Sequence, residues 1–148
     1  MEITTPIKIT EAEWEIMRVV WANGAVTSRE IIKVLGNKKQ WKATTIKTLI
    51  GRLVDKKVLK TTKEGNKFIY SALVTEENSM EFYTDDVLSR VCTKQRGQLI
   101  NNMIVDTVLS KSDIDRLREL LEQKERTALD EVPCKCIAGQ CECNLRHH

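Results

Sequence analysis

The segment 43–56 places the strongest constraint on the fold, because it is amphipathic with the period of an α-helix. Apolar residues recur at i, i+3, i+4, i+7 and i+8, at positions Ile46, Leu49, Ile50, Leu53 and Val54. The opposite face combines hydroxyls, a glycine and two cations, at Thr44, Thr45, Lys47, Thr48, Gly51 and Arg52. A helix face that is merely solvated would typically pair Glu with Lys, but within residues 43–56 no acidic residue precedes Asp55. Thr can contact a thymine methyl group, and Lys and Arg can reach guanine or phosphate, so the pattern favours a DNA recognition helix.

Two shorter helices are predicted before this segment and a β-hairpin after it. Thr10 and Glu13 form a capping box that opens a helix ending at Gly24. A second box at Thr27 opens a helix that Gly36 is expected to end, and the gap 24–26 has the length of a helix-turn-helix elbow. The β-rich runs 58–62 and 67–72 flank 63–66, where Gly and Asn favour a turn. The order predicts a winged helix in residues 1–74.

The net charge of +3 conceals an asymmetry between the two halves of the chain. Residues 1–74 contain 14 Lys and Arg against 7 Asp and Glu, whereas residues 75–148 contain 10 against 14. A basic first half suits nucleic acid. The DNA contacts predicted are Thr27, Ser28, Thr44, Thr45, Lys47, Thr48 and Arg52, with Lys63 and Lys67 at the wing tip facing phosphate.

Residues 75–130 are predicted to form an all-α dimerisation domain. Three apolar helical stretches follow one another, the first two separated at Gly97 and the third capped at Ser112. Short helices of this composition cannot bury their apolar surface alone. They could pack back onto the winged helix as one domain, or pair with a second copy. A homodimer is favoured, because a single reading helix usually works on an inverted repeat.

The tail, residues 131–148, contains four thiols in a C-x-C-x4-C-x-C pattern after Pro133, at Cys134, Cys136, Cys141 and Cys143. Four thiolates gathered by a turn at Gly139 can surround a tetrahedral Zn(II), and as soft donors they also suit Cu(I) through bridging sulfurs. Disulfides would close very small rings. With no signal peptide and no apolar run of membrane-spanning length, a reducing cytoplasm is expected, where clustered cysteines are typically ligands. Cys92 stands alone and is predicted to be a core residue. His147 and His148 are expected to be free terminal residues without an acid–base role.

The sequence resembles the BlaI/MecI/CopY repressors through EAEWEIM at 11–17, WKATTIKTLIGRL at 41–53 and EGNKFIY at 64–70. With the cysteine pattern, it is similar to the copper-responsive CopY branch. The resemblance implies a homodimer whose Zn(II) form holds an inverted-repeat operator with TACA/TGTA halves upstream of copper-transport genes. It further implies release when Cu(I) replaces Zn(II), with a copper chaperone as a conceivable Cu(I) donor. One departure is Lys42-Ala43, where relatives often have Ser-Pro, so the recognition helix lacks a good N-cap.

A proteolytic switch is one other reading of function. The β-lactam-responsive relatives are inactivated by cleavage at an Asn-Phe bond, but the matching position here is Asn102-Met103, so such a switch is not expected. The chain could instead buffer copper or zinc, or bind DNA constitutively with a structural zinc in its tail. An enzyme is not expected, because there is no Gly-rich phosphate loop and no nucleophile with a visible base.

Overall fold

The computed structural model describes residues 8–143, so His147 and His148 lie outside the described residues. The elements are, in order, α1 Glu11–Asn23, β1 Ala25–Thr27, α2 Ser28–Lys39, α3 Ala43–Asp55, β2 Leu59–Glu64, β3 Lys67–Ala72, α4 Glu76–Ser89, α5 Arg96–Asp106 and α6 Lys111–Glu125. A 3-10 turn, Thr93–Gln95, precedes α5. The chain divides into two compact units between Tyr83 and Thr84, a boundary that α4 crosses. We call the described residues 8–83 the first unit and 84–143 the second unit.

The first unit is a winged helix, as predicted. Its sheet has the antiparallel order β1-β3-β2, and Glu64 pairs with Lys67 around a turn of Gly65 and Asn66. Gly65 has a φ of 64°, which a residue without a side chain adopts at little cost. The prediction of a hairpin is therefore confirmed. The segment predicted as a plain elbow instead contains β1, which pairs Val26 with Tyr70. Three residues are too few to show a strand pattern in the sequence.

The helix starts follow the capping rules. The Thr10 hydroxyl accepts from the Glu13 backbone N–H (3.2 Å), and the Glu13 carboxylate accepts from the Thr10 N–H (2.9 Å). The Thr27 hydroxyl likewise accepts from the Glu30 N–H (3.2 Å). The helix α3 begins after Lys42 without a side-chain cap, as the sequence indicated.

Three predicted helix boundaries were wrong. The helix α2 passes Gly36 and ends at Lys39, because the following residue, Gln40, adopts the left-handed conformation (φ 56°). The cap of α6 is Ser110 rather than Ser112, because Ser110 and Asp113 form a reciprocal capping box. Gly97 lies inside α5, and the break falls before it in the 3-10 turn. A single glycine costs a helix only about 1 kcal/mol, which neighbouring residues can offset.

A buried ion pair joins the start of α1 to the end of α3. Glu13 is fully buried, and its Oε1 accepts from Lys56 Nζ at 2.6 Å. Burial acts to raise the pKa of Glu13, but hydrogen bonds from Lys56 and Thr10 and the charge of Lys56 outweigh it, so the pKa is lowered. The pair lies beside the core of the first unit, which consists of Ile9, Ile16, Met17, Val19, Val20, Val26, Ile31, Leu35, Ile46, Leu49, Ile50, Leu53, Val58 and Leu59.

The second unit is helical and leaves its apolar side chains largely uncovered. Among described residues 84–143, Cys92 is the one buried hydrophobic residue. Exposed apolar side chains occur on every α-helix of this unit and include Val87, Ile100, Met103, Ile104, Val105, Ile114, Leu120 and Leu121. Val108, in the loop between α5 and α6, is almost fully exposed. Across residues 8–143, no helix combines the length and hydropathy that a bilayer crossing requires.

Candidate metal centre and nucleic-acid interface

The outward face of α3 is the first candidate site. The apolar stripe is turned inward, with Ile46 and Leu53 fully buried, so the side chains on the other face reach solvent. All five predicted contacts on α3 are exposed: Thr44, Thr45, Lys47, Thr48 and Arg52. The Thr48 hydroxyl donates to the Thr44 carbonyl (2.9 Å), which leaves its oxygen available as an acceptor. The face thus presents two cations and short hydroxyls with no acid among them.

A groove runs between α3 and the hairpin wing. Its lining includes Ser28 at the start of α2, Lys47 and Gly51 on α3, and Thr61 and Phe68 on the wing. Lys63 and Lys67 are exposed beside the turn. Thr27 is half-buried and its hydroxyl serves as a helix cap. Sequence reasoning missed Phe68, an exposed aromatic residue on the groove, because three consecutive apolar residues of β3 give no alternation that would mark one of them as exposed. The roles of these side chains in DNA binding stay predictions.

The second candidate site is a group of four thiols in the second unit. The sulfurs of Cys92, Cys134, Cys136 and Cys141 all lie within 4.8 Å of one another, and we call these four residues the thiol cluster. The separation is 3.5 Å from Cys92 to Cys134 and 3.3 Å from Cys134 to Cys141. Among residues 8–143, none of the five cysteines forms a disulfide. The turn predicted at Gly139 is present, since Gly139 has a φ of 93° and the Gln140 N–H donates to the Ile137 carbonyl (3.0 Å).

The tail is held beside Cys92 by contacts with the residues that lead into α5. The Thr93 hydroxyl donates to the Pro133 carbonyl (2.5 Å), and Lys94 Nζ lies 3.9 Å from the Glu131 carboxylate. Together with the sulfur contact between Cys92 and Cys134, three consecutive residues of this segment contact the tail. The tail is therefore held in place although it has little regular structure of its own.

The donor set fits a thiophilic metal ion. Four sulfurs at the usual Zn–S distance around a tetrahedral Zn(II) stand about 3.8 Å apart. The sulfurs of the thiol cluster lie close to that spacing, so shifts of about 1 Å or less would complete such a geometry. Thiolates also suit Cu(I). A cysteine cluster that could bind a metal ion is thus present, as the sequence predicted.

The acid–base properties of the thiols reflect their crowding. Desolvation and neighbouring thiols raise the pKa of Cys136 to about 12 and that of Cys143 to about 11. For Cys134, a backbone hydrogen bond from Cys136 acts to lower the pKa, but Cys141, desolvation and Cys92 raise it overall. For Cys92 the backbone N–H of Lys94 is the main cause of a lowered pKa. Metal binding must therefore displace protons from several of these thiols.

The membership of the thiol cluster differs from the predicted ligand set in one residue. Cys134, Cys136 and Cys141 come together, whereas Cys143 lies outside the four, near Cys92 and Cys141. Cys92 is buried, as predicted, but it lies among thiols rather than in the apolar core of the first unit. Its separation of 42 residues from Cys134 hid this proximity from sequence reasoning.

Comparison with known proteins agrees with the winged helix. The family model described as penicillinase repressor matches residues 9–123. An uncharacterized 16.5 kDa protein of Latilactobacillus sakei is 46% identical over 92% of this chain and 93% of its own length. The methicillin resistance regulatory protein MecI of Staphylococcus aureus is 31% identical over 79% of this chain and 95% of its own.

Among solved structures, that of a CopR repressor is 42% identical, covers 45% of this chain and 97% of that chain, and has a TM-score of 0.40. The matched family is one of transcriptional repressors and not of enzymes. The chain therefore belongs to the penicillinase repressor family and is a DNA-binding transcriptional repressor.

Proposed function

We propose that this repressor is metal-responsive: its Zn(II) form binds an inverted-repeat operator of copper-homeostasis genes as a homodimer, and Cu(I) releases it by replacing Zn(II). The observation that carries the proposal is the thiol cluster. A repressor needs only a DNA-reading unit, so a site suited to soft metal ions in the same chain calls for a role. Cys134, Cys136, Cys141 and Cys143 are the proposed tail ligands.

The DNA-binding part of the proposal is supported by the exposed face of α3. Thr44, Thr45, Lys47, Thr48 and Arg52 would enter the major groove, where Lys and Arg read guanine and Thr reads thymine. Thr27, Ser28, Lys63 and Lys67 would fix the orientation through phosphate. The Phe68 ring on the groove adds an apolar surface beside α3.

The homodimer is supported by the uncovered helices of the second unit. Met103 on α5 and Leu121 on α6 are about half-exposed, and many apolar neighbours on the same helices are similarly uncovered. A second copy could bury these faces and would place two α3 helices on two half-sites. Residues 75–130 remain the proposed dimerisation domain.

The switch is a difference in free energy between two metal states. Zn(II) imposes tetrahedral coordination by four thiolates, whereas Cu(I) prefers fewer ligands and shares bridging thiolates. Only a metal that favours one arrangement of the protein over the other changes operator affinity. A tenfold loss of affinity requires about 1.4 kcal/mol of such coupling. A Cu(I) chaperone in the cytoplasm is the proposed donor.

DNA reading by α3 is tested by a double substitution, Lys47→Ala with Arg52→Ala. Operator binding by the Zn(II)-loaded dimer is followed at several salt concentrations. We expect at least a 100-fold loss of affinity for the inverted repeat and a salt slope smaller by about 4, because the homodimer loses two cations from each protomer. The control, Arg118→Ala with Lys124→Ala on α6, removes the same charge and should keep the slope. Equal losses in both variants would contradict a recognition role for α3.

A buffering protein is the alternative. It would take up metal in the same thiols, but it would show no preference for an inverted repeat over random DNA of the same length. Constitutive DNA binding with a structural zinc would instead show that preference and ignore Cu(I).

A further inference from the structure

We infer that Cys92 is a metal ligand, and that the Zn(II) site consists of Cys92 from the helical part of the second unit with Cys134, Cys136 and Cys141 from the tail. Cys143 is then a fifth thiol beside a completed site. This inference rests on the proposed function for the presence of a metal ion, and it changes which residues hold that ion.

The distances favour this set of four. The sulfurs of Cys92, Cys134, Cys136 and Cys141 lie within 4.8 Å of one another, and Cys143 is not in that group. Cys92 is in direct sulfur contact with Cys134 at 3.5 Å. Zn(II) in closed structural sites takes four ligands, so four thiols already near tetrahedral spacing leave no position for a fifth.

The second support is the way in which the tail is held beside Cys92. Thr93 contacts Pro133 and Lys94 lies near Glu131, so the residues that follow Cys92 fix the residues that precede Cys134. These contacts place the first tail thiol next to Cys92. A metal site made only of tail thiols would not need these contacts with the residues after Cys92.

The position of Cys92 also supplies a route from the metal to the helices. It directly precedes the 3-10 turn Thr93–Gln95, which leads into α5. A metal held by Cys92 therefore ties the tail to the start of α5, a helix with exposed Met103, Ile104 and Val105. A change of metal would alter this tie directly, whereas a site made of tail thiols alone would reach α5 only through the contacts of Thr93 and Lys94 with the tail.

Alkylation of the unmodified full-length protein tests the inference without a variant. The Zn(II)-loaded and metal-free proteins are treated with iodoacetamide, and modification of each cysteine is followed by peptide mass spectrometry. We expect Zn(II) to protect Cys134, Cys136 and Cys141 and to leave Cys143 reactive. Cys92 is only 7% exposed, so its own protection is not counted. Protection of Cys143 to the same extent as the other tail thiols would overturn the inference.

Two Ser variants provide the second measurement. Cys92→Ser should lower Zn(II) affinity at least about 100-fold and change the Co(II) thiolate charge-transfer spectrum, whereas Cys143→Ser should lower affinity less than tenfold. Circular dichroism of the metal-free variants shows whether each one folds. If Cys92→Ser does not fold, the alkylation of the unmodified protein tests the inference instead. The opposite order of affinities would overturn the inference.

The outcomes separate this inference from the proposed function. If the unmodified protein binds neither Zn(II) nor Co(II), both fail. If Zn(II) is held by the thiol cluster of Cys92, Cys134, Cys136 and Cys141 but Cu(I) leaves the operator complex intact, only the copper switch fails. If Cu(I) releases the operator while Cys143 is protected by Zn(II) and Cys92→Ser binds normally, only the assignment of Cys92 fails.

Discussion

The two units differ in what holds them together. The first unit buries a continuous apolar core, with side chains such as Ile16 and Leu53 fully removed from solvent. In the second unit Cys92 is the one buried hydrophobic residue among residues 84–143, while helices α5 and α6 expose many apolar side chains. Burial of apolar surface is the main source of stability in water. The first unit is therefore stabilised by its own packing, whereas the second has surface suited to a partner copy and thiols suited to a metal.

The largest expected effect comes from placing charge on the uncovered helices. Met103 and Ile104 on α5 are 48% and 41% exposed, and we expect both to be buried in the homodimer. Changing both to Lys removes apolar contacts twice in a two-fold dimer, at a cost of about 4 kcal/mol, or roughly 1000-fold in the dimer dissociation constant. Sedimentation equilibrium measures this constant.

The matched control is Val34→Lys on α2, where the side chain is 42% exposed in the first unit. It should leave the dimer intact. Dissociation in the control but not in the α5 variant would reverse the assignment of the dimer surface to the second unit.

A core substitution tests whether the first unit is stabilised by its own packing. Ile16→Ala should lower the free energy of unfolding of the first unit by about 3 kcal/mol, since Ile16 is fully buried. All three tryptophans, Trp14, Trp21 and Trp41, belong to this unit, so their fluorescence in urea reports on it selectively. Leu121→Ala, at a side chain 59% exposed in the second unit, should leave that fluorescence transition in place. Equal shifts would show that the two units unfold as one.

The buried ion pair of the first unit predicts a pH dependence. The pKa of Glu13 is lowered in the folded protein, so the contribution of its carboxylate to stability is fully present above the ordinary Glu pKa of about 4.3. It is lost as the pH falls through the lower folded value. Glu13→Gln should therefore cost about 2 kcal/mol at pH 7, with the difference vanishing at strongly acid pH. Urea titrations at a series of pH values measure it, and a difference that persists in acid would refute the ion pair as its cause.

The last prediction concerns protons on the thiols of the second unit. Cys136 has its pKa raised to about 12, so it is protonated at neutral pH and must lose its proton to bind a metal ion. Zn(II) affinity should rise by at least about tenfold per pH unit between pH 6 and 8. Competition with a chelator of known pH dependence measures the slope. A pH-independent affinity would mean that the ion binds elsewhere.

Much of the first unit is predictable from sequence because its signals are local. The stripe from Ile46 to Val54, the box at Thr10 and the turn at Gly65 each depend on residues within a few positions. The strand β1 is not predictable from local signals, because its three residues gain their structure only by pairing with β3. The end of α2 depended on which residue adopted the left-handed conformation, and the cap of α6 depended on which serine completed a hydrogen bond.

The candidate metal centre was only partly predictable for the same reason. The spacing of the tail cysteines indicates a metal site by itself. The position of Cys92 is set by the fold of the second unit and by contacts such as Thr93 with Pro133, which no spacing rule contains. The side chains proposed to approach DNA follow from the exposed face of α3, but the groove beside Phe68 needed the hairpin to be placed first.

Control of operator binding by metal identity can be measured by fluorescence anisotropy of a labelled inverted-repeat operator. The operator is bound to the Zn(II)-loaded protein and titrated anaerobically with Cu(I) at fixed salt. We expect Cu(I) to release the operator, and this response to be lost when Cys134, Cys136, Cys141 and Cys143 are all changed to Ser. An operator complex that persists in excess Cu(I) would refute the metal switch and leave a constitutive DNA-binding protein with a structural zinc site.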